Sequence, residues 1–151
     1  MRFQRVVNEL PADFNAMHRE ARAEGHQFLD RLASDWVSGA MRFERPGEAL
    51  LAAYSEGVLA AIGGITIDPI VPDALRIWRF YVRPAFRRTG IGGEVALALL
   101  EGALQRVRVV TLKAARGTAG VQRFRQKRAV QRLSGRIQPD PGPGRIPDCC
   151  A

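Results

Sequence analysis

One short segment limits what this chain can fold into more than any other. It runs from Tyr81 to Gly93 and reads YVRPAFRRTGIGG, with β-favouring residues before it and a helical pattern after it. Backbone N–H groups at a helix start attract anions, glycine lets a ligand come close, and arginine offers paired donors to phosphate oxygens. The segment therefore predicts a binding site for a phosphate-bearing ligand at a strand-to-helix transition.

Apolar periodicity divides the chain into strands and helices. Alternating β-branched and aromatic residues mark strands, and apolar positions three and four residues apart mark helices. In chain order the predicted elements are a strand over Met1–Val7, helices over Phe14–Glu24 and Phe28–Gly39, hairpin strands over Leu50–Tyr54 and Val58–Ile67, a strand over Leu75–Val82, a helix over Ile91–Arg106, a strand over Val107–Ala114 and a helix over Thr118–Arg128. This mixture predicts one α/β (α+β) domain with a mixed sheet.

The helical patterns also predict which side chains face the core and which face solvent. The predicted apolar face of the helix after the glycines consists of Ile91, Val95, Ala98, Leu99, Gly102 and Ala103. The first helix carries the charged residues Arg19, Glu20, Arg22 and Glu24. We expect these four to form a solvated surface with ion pairs along the helix.

The composition changes sharply after Arg128. Residues 129–151 contain no aromatic residue, and the run PDPGPG over residues 139–144 cannot lie inside a strand or helix. We therefore expect a domain over residues 1–128 and a Pro/Gly/Arg-rich tail over residues 129–151 that is disordered or weakly attached.

Positive charge is concentrated in the second half of the chain. Residues 1–82 carry nine arginines and eleven acidic residues, a net of −2, whereas residues 83–151 carry 14 basic and four acidic residues, a net of +10. A basic surface can attract a polyanionic cofactor or nucleic acid. No helix-turn-helix or RNA-binding signature accompanies the charge, so a nucleic-acid-binding module is the weakest alternative.

Other features argue against several classes of protein. No apolar run approaches the roughly 20 residues that span a bilayer, and the N-terminus lacks a signal-peptide core, so we expect a soluble, cytoplasmic protein. Cys149 and Cys150 are adjacent and cannot build a disulfide framework, and no Cys/His spacing predicts a metal site. We expect His18 and His26 to be surface or helix-end residues, with substrate binding as the alternative.

Three kinds of phosphate-binding segment can be compared with the glycine-rich run. A P-loop needs lysine and then serine or threonine after its last glycine, but Gly93 and Glu94 follow Gly92 here. A dinucleotide fingerprint needs a third glycine where Val95 lies, and an acidic residue about 20 positions on that is missing. The pattern Gln/Arg-x-x-Gly-x-Gly/Ala does match, beginning at Arg87.

Placed after a strand ending Tyr-Val-Arg-Pro and before a helix, this pattern resembles the acetyl-coenzyme A signature of the GCN5-related N-acetyltransferase (GNAT) superfamily. The resemblance follows the element order over residues 1–128 and is specific over residues 76–116. It implies a mixed, mostly antiparallel central sheet flanked by helices. It also implies acetyl transfer from acetyl-coenzyme A, without a metal, to an amine on a small molecule or a protein.

The resemblance further implies how the cosubstrate binds. Its pyrophosphate would lie on the N–H groups from Arg88 to Gly93, with Arg87 or Arg88 offsetting the phosphate charge. Thus the implied cofactor-binding residues are Phe80, Tyr81, Val82, Arg87, Arg88, Thr89, Gly90, Ile91, Gly92 and Gly93.

The strand before the loop would supply the rest of the site. A bulge in Ile77–Arg83 would make this strand splay away from Val109–Ala114 and leave a cleft, and the backbone of Phe80–Val82 would pair with the pantetheine arm. The N–H of Val82 would stabilise the oxyanion of the tetrahedral intermediate.

No side chain identifies itself as the general base. The candidates are Tyr81, Glu48, Asp68 and His18, and for each we expect a structural or solvated role instead. The acceptor pocket could be lined by Phe28, Arg31, Trp36 and Phe43, although core packing is the expected role of the aromatic residues. The acceptor and the oligomeric state are not encoded in any motif.

The chain departs from the superfamily near its C-terminus. A tyrosine there commonly protonates the leaving thiolate, but Arg125 takes its place after Phe124, and Ala129-Val130 replaces a Gly-Phe pair. A changed reading frame near residues 125–130 and a genuinely divergent C-terminus are the two explanations, and the coding DNA distinguishes them. With the usual C-terminal strands missing, the Val107–Ala114 edge would be uncovered, so we expect marginal stability and impaired catalysis. A catalytically impaired or regulatory relative that binds acetyl-coenzyme A is therefore the alternative function.

Overall fold

The computed structural model describes residues 1–112, which form a sheet with helices packed on it. In chain order the elements are β1 (Arg2–Arg5), α1 (Phe14–Ala23), α2 (Phe28–Ser38), β2 (Ala49–Ser55), β3 (Val58–Ile67), β4 (Ala74–Val82), a 3₁₀ turn (Pro84–Phe86), α3 (Ile91–Leu104) and β5 (Val109–Leu112). Every element predicted up to Leu112 is present. The predicted helix Thr118–Arg128, Arg125 and the tail lie outside the described residues.

The described strands form one sheet in the order β1-β2-β3-β4-β5. Neighbours are antiparallel except β4 and β5, which are parallel because α3 connects them as a crossover. The predicted mixed, mostly antiparallel sheet is therefore confirmed. Among the described strands β5 lies at an edge of the sheet.

Two hydrophobic clusters hold the helices against the sheet. One joins α1 and α2 to side chains such as Leu50, Ile62 and Tyr81. The other joins α3 to side chains that include Ile65 and Ile77. Since side chains alternate across a strand, the helices cover opposite faces.

A β-bulge interrupts the pairing of β3 with β4. Ile62 pairs with Tyr81 and Gly64 with Trp78, so Arg79 and Phe80 together oppose the single residue Gly63. Arg79 adopts a φ of 52° at this bulge. The bulge predicted in this strand is therefore confirmed.

Two adjacent glycines of β3 make room for aromatic rings. A Cβ atom on Gly63 would lie 2.7 Å from the ring of Phe80, and one on Gly64 would lie 2.5 Å from the ring of Phe43. Phe43 is only 2% exposed. These glycines are thus packing positions in the sheet interior.

The predicted apolar face of α3 was partly wrong. Ile91, Val95, Leu99 and Ala103 are buried as expected, and Ala96 and Leu100 are buried with them. Ala98 is only half-buried and Gly102 is exposed. The helix is apolar on nearly every side, so periodicity alone could not identify the face that packs on the sheet.

Candidate functional site

The segment between β4 and α3 is a tight connection. Its 3₁₀ turn is closed by Thr89, whose Oγ1 donates to the Phe86 carbonyl at 2.6 Å. Arg88 and Gly90 then adopt φ values of 65° and 89°, the left-handed region that glycine enters at least cost. As a result the first turn of α3 approaches the end of β4, where a Cβ atom on Gly92 would lie 3.1 Å from a methyl group of Val82.

Six consecutive backbone N–H groups, from Arg88 to Gly93, have no hydrogen-bond acceptor among residues 1–112. The first N–H of α3 that bonds is that of Glu94, which donates to the Gly90 carbonyl at 3.1 Å. Gly90 is the N-cap and has no side chain to satisfy the groups that follow it. The space that side chains of Gly90 and Gly93 would fill is also open. This row of free donors at a helix N-terminus can bind an anion.

The backbone N–H of Val82, at the end of β4, is a further donor near this loop. Arg83 donates its N–H to the Ala60 carbonyl of β3 at 2.9 Å. Successive N–H groups of a strand point to opposite sides, so that of Val82 points away from β3. The described pairing with β5 ends at Ile77, five residues earlier. Within the described part of the chain, the N–H of Val82 is therefore available to a ligand.

The two arginines of the loop have different surroundings. Arg87 forms a two-bond ion pair with Glu24, at 2.7 and 2.6 Å, and its Nε donates to the Val82 carbonyl at 3.0 Å. The pairing with Glu24 raises the pKa of the Arg87 guanidinium. Arg88 is exposed and has no ion-pair partner among residues 1–112. Of the two, Arg88 has the side chain free to meet a phosphate.

The charged surface of α1 was predicted wrongly in part. Glu20 pairs with Arg83 at 2.8 and 2.7 Å, and Glu24 pairs with Arg87, so both carboxylates bond to the end of β4 rather than along their own helix. These arginine contacts lower the pKa of both glutamates. Glu20 and Glu24 are four residues apart, and so are Arg83 and Arg87. This matched spacing is the only sign of the ion pairs in the sequence, and it does not show that these glutamates pair with these arginines.

Tyr81 contacts both members of the Glu24–Arg87 ion pair. Its side chain packs with α1 and α2, it is 1% exposed, and its hydroxyl donates to Glu24 Oε1 at 2.5 Å. Burial, together with the bond to Glu24, raises the pKa of Tyr81. A phenol in these surroundings keeps its proton, so it does not act as a general base at neutral pH.

The other general-base candidates have structural contacts. The buried carboxylate of Glu48 accepts the N–H groups of Arg45 and Ile67, at 3.2 and 3.3 Å. Asp68 accepts two N–H groups of its own turn and the hydroxyl of Thr111. Burial opposes the ionisation of Asp68, but these hydrogen bonds outweigh it and lower its pKa.

The two histidines lie near α1. His18 is half-buried, pairs with Asp30 of α2 and lies 5.6 Å from the ring of Phe14. His26 lies in the connection to α2, 6.3 Å from the ring of Tyr81. Neither lies in the 84–93 loop.

Among the residues considered for the acceptor pocket, Trp36 and Phe43 belong to the core, Phe28 is half-buried against it, and Arg31 is exposed. Arg79, for which the sequence predicts no role, has a side chain that is only 9% exposed. It donates to the Phe28 carbonyl and to Asp35, at 3.2 and 3.3 Å, and lies over the ring of Trp78. Burial lowers the pKa of Arg79, and Asp35 partly offsets that effect. No local sequence pattern indicates these contacts, because they join residues 51 and 44 positions apart in the chain.

Within residues 1–112, no group of three metal-ligating side chains is close enough to hold an ion. None of the helices in that part of the chain has the length and apolar character needed to cross a membrane.

The profile of the acetyltransferase (GNAT) family matches residues 5–129. No curated protein sequence matches the chain.

Solved structures share the fold at low sequence identity. A candidate acetyltransferase from Exiguobacterium sp. 255-15 superposes with a TM-score of 0.71 at 21% identity, over 91% of this chain and 90% of that one. A ribosomal-protein-alanine N-acetyltransferase from Brucella melitensis gives 0.59 at 18% identity, over 91% and 94%. An aminoglycoside 6'-N-acetyltransferase from Acinetobacter haemolyticus gives 0.57 at 17%, over 82% and 86%.

Proposed function

The chain belongs to the acetyltransferase (GNAT) family, and on that premise we propose that it transfers the acetyl group of acetyl-coenzyme A to a primary amine. The family makes the protein an acetyltransferase. The donor, the acceptor and the residues below are our proposal.

The observation that carries the proposal is the row of six N–H groups, from Arg88 to Gly93, that have no acceptor among residues 1–112. Acetyl-coenzyme A contains a pyrophosphate, and a helix N-terminus with unpaired donors favours such an anion. Gly90 and Gly93 leave space for close approach, and Arg88 supplies a positive charge beside the donors. The residues present therefore fit the pyrophosphate of the cosubstrate.

The end of β4 would hold the remainder of the cosubstrate. Phe80–Val82 lie beyond the described pairing with β5, so their outward backbone groups can pair with the amide groups of a pantetheine arm. The N–H of Val82 would donate to the thioester oxygen as negative charge develops there. When bound, acetyl-coenzyme A supplies the activated acetyl group. The amine nitrogen would add to the carbonyl carbon, and the carbon–sulfur bond would break as the resulting oxyanion re-forms the carbonyl and the thiolate leaves.

Two proton transfers accompany this reaction, and we assign neither to a side chain. The amine must lose a proton before or during attack, and the thiolate must gain one. Glu48 and Asp68 already hold backbone groups, and Tyr81 retains its proton. Arg125, in the place of the usual acid, lies outside the described residues.

We retain the division into a domain over residues 1–128 and a tail over residues 129–151 as part of the proposal. The family profile ends at residue 129, which supports this boundary.

Calorimetric titration with acetyl-coenzyme A tests the proposed function. The wild-type protein should bind it, and Arg88→Glu should weaken binding about tenfold or more, because a charge-assisted contact to phosphate is replaced by repulsion. Arg108→Glu is the matched control, since Arg108 is also exposed but lies just before β5, away from the 84–93 loop in the chain. A folded wild-type protein that ignores millimolar acetyl-coenzyme A would overturn the proposal.

A catalytically impaired relative that binds acetyl-coenzyme A remains the second candidate, because Arg125 stands where the superfamily commonly has a tyrosine. A thiol-release assay with a panel of primary amines separates the two. Binding with turnover supports the enzyme, and binding without turnover on any amine supports the impaired relative.

A further inference from the structure

The carboxylate of Glu24 lies at the centre of a small network below the end of β4. Its Oε1 accepts the Tyr81 hydroxyl at 2.5 Å and Arg87 Nη2 at 2.6 Å, and its Oε2 accepts Arg87 Nη1 at 2.7 Å. Glu24 is the C-cap residue of α1, 57 and 63 positions away from these partners in the chain. Three hydrogen bonds therefore connect the end of α1 to the region of the candidate site.

The two partners of Glu24 flank the N–H group proposed to face the thioester. Tyr81 precedes Val82, and its ring is buried against α1 and α2. Arg87 follows Val82 and donates from Nε to the Val82 carbonyl at 3.0 Å. One carboxylate thus fixes the backbone on both sides of the Val82 N–H.

We propose that Glu24 is a positioning residue for acetyl transfer, which holds the Val82 N–H in the direction of the thioester oxygen through Tyr81 and Arg87. This inference rests on the proposed function. It adds a role for a glutamate that does not itself reach the reacting atoms.

The exposure of the pair argues for orientation rather than stability. The side chains of Arg87 and Glu24 are 26% and 29% exposed, and an ion pair so accessible to water contributes little to folding. A two-bond guanidinium–carboxylate contact is nevertheless geometrically specific. An oxyanion donor depends on this kind of specificity, because its effect falls steeply when it is misdirected.

The protein contains a matched control one helical turn away. Glu20 makes a similar two-bond contact with Arg83, and its side chain is 37% exposed. Arg83, however, donates to the Leu59 carbonyl of β3, not to a carbonyl of the candidate site. Glu20→Gln therefore disturbs a similar contact but removes none of the hydrogen bonds among Glu24, Tyr81, Arg87 and the Val82 carbonyl.

The decisive experiment measures the bound thioester directly. Acetyl-coenzyme A labelled with ¹³C at the carbonyl is bound to each variant, and isotope-edited infrared spectra report how far the carbonyl stretch moves from its value in water. The wild-type protein should lower this frequency. Glu24→Gln should lose most of the shift, and Glu20→Gln should retain it. This readout needs no acceptor amine.

Kinetics provide a second readout with the best amine of the panel. Glu24→Gln should lower kcat about ten- to a hundredfold while the KM for acetyl-coenzyme A changes by no more than about twofold, because the pyrophosphate donors are untouched. Tyr81→Phe removes one hydrogen bond, keeps the ring, and should lower kcat about two- to tenfold. It tests the network even if Glu24→Gln folds poorly.

The possible outcomes are distinguishable. If wild-type protein fails to bind acetyl-coenzyme A, the proposed function and this inference both fall. If acetyl-coenzyme A binds and its carbonyl stretching frequency falls equally in wild type and Glu24→Gln, only the positioning role is wrong. Equal losses in Glu20→Gln and Glu24→Gln would also overturn it, since they would show a general structural effect.

Discussion

Two regions adjoin the end of β4, and they differ in whether their polar groups have hydrogen-bond partners. On the loop side, six N–H groups and the guanidinium of Arg88 have no partner among residues 1–112. On the α1 side, Arg83 and Arg87 each hold a glutamate in two hydrogen bonds. The first region thus has donors that can bind an anion, and the second is a scaffold of ion pairs that joins the end of α1 to the residues after β4.

The glycines of the loop and the glycines of β3 differ in the space around them. Gly90 and Gly93 of the loop side adjoin open space, whereas Gly63 and Gly64 of β3 each lie directly beneath an aromatic ring. A glycine that leaves room for a ligand and a glycine that leaves room for the core should therefore respond differently to substitution.

The largest expected effect is in the core. Gly64→Ala places a methyl group 2.5 Å from the buried ring of Phe43, which must shift, so the free energy of unfolding should fall by about 1–3 kcal/mol. Gly102→Ala is the control, because at this exposed position of α3 the added methyl group meets nothing in residues 1–112 within 4 Å apart from its chain neighbours and the helix backbone. It should raise stability by about 0.5–1 kcal/mol through helix propensity. Urea unfolding measures both, and equal changes would remove the distinction.

The loop glycine should lose stability for a different reason. The methyl group of Gly90→Ala meets nothing in residues 1–112 within 4 Å apart from its chain neighbours. The φ of 89° is unfavourable for alanine, however, so the substitution should lower the free energy of unfolding by about 1 kcal/mol. Gly90→Asn should cost less, because asparagine enters the left-handed region more readily. A larger loss for asparagine than for alanine in urea unfolding would contradict this explanation.

The smallest expected effect is the loss of unfolding free energy when acid protonates Glu20 and Glu24 of the scaffold. The folded-state pKa values of Glu20 and Glu24 are lowered from 4.5 by their arginine partners, so their contribution is complete above that value and disappears as the pH falls through the folded-state values. At pH 7 the free energy of unfolding of the wild-type protein should exceed that of the double variant Glu20→Gln/Glu24→Gln by about 0.5–1 kcal/mol. The difference should shrink towards zero as the pH falls well below 4.5. A difference that does not depend on pH would show that charge is not the cause.

Much of the fold could be predicted because its signals are local. The hairpin turn at Glu56 and Gly57 and the helix end at Gly39 lie where glycine and polarity indicated them. The apolar face of α3 could not be predicted in full, because a helix with apolar residues on nearly every side receives its orientation from the sheet. The expected instability and impaired catalysis stay predictions, since the residues behind them lie beyond Leu112.

The sequence by itself determined the candidate site as a strand, a turn and a helix start, because backbone dihedrals and unpaired N–H groups depend on residues close together in the chain. Only the tertiary structure decided which arginine remains free for an anion. That choice depends on α1 packing against β4, which brings Glu24 to Arg87 across 63 residues and leaves Arg88 without such a partner in the described residues. Pairing between distant side chains follows from how the elements pack, and neither periodicity nor composition encodes it.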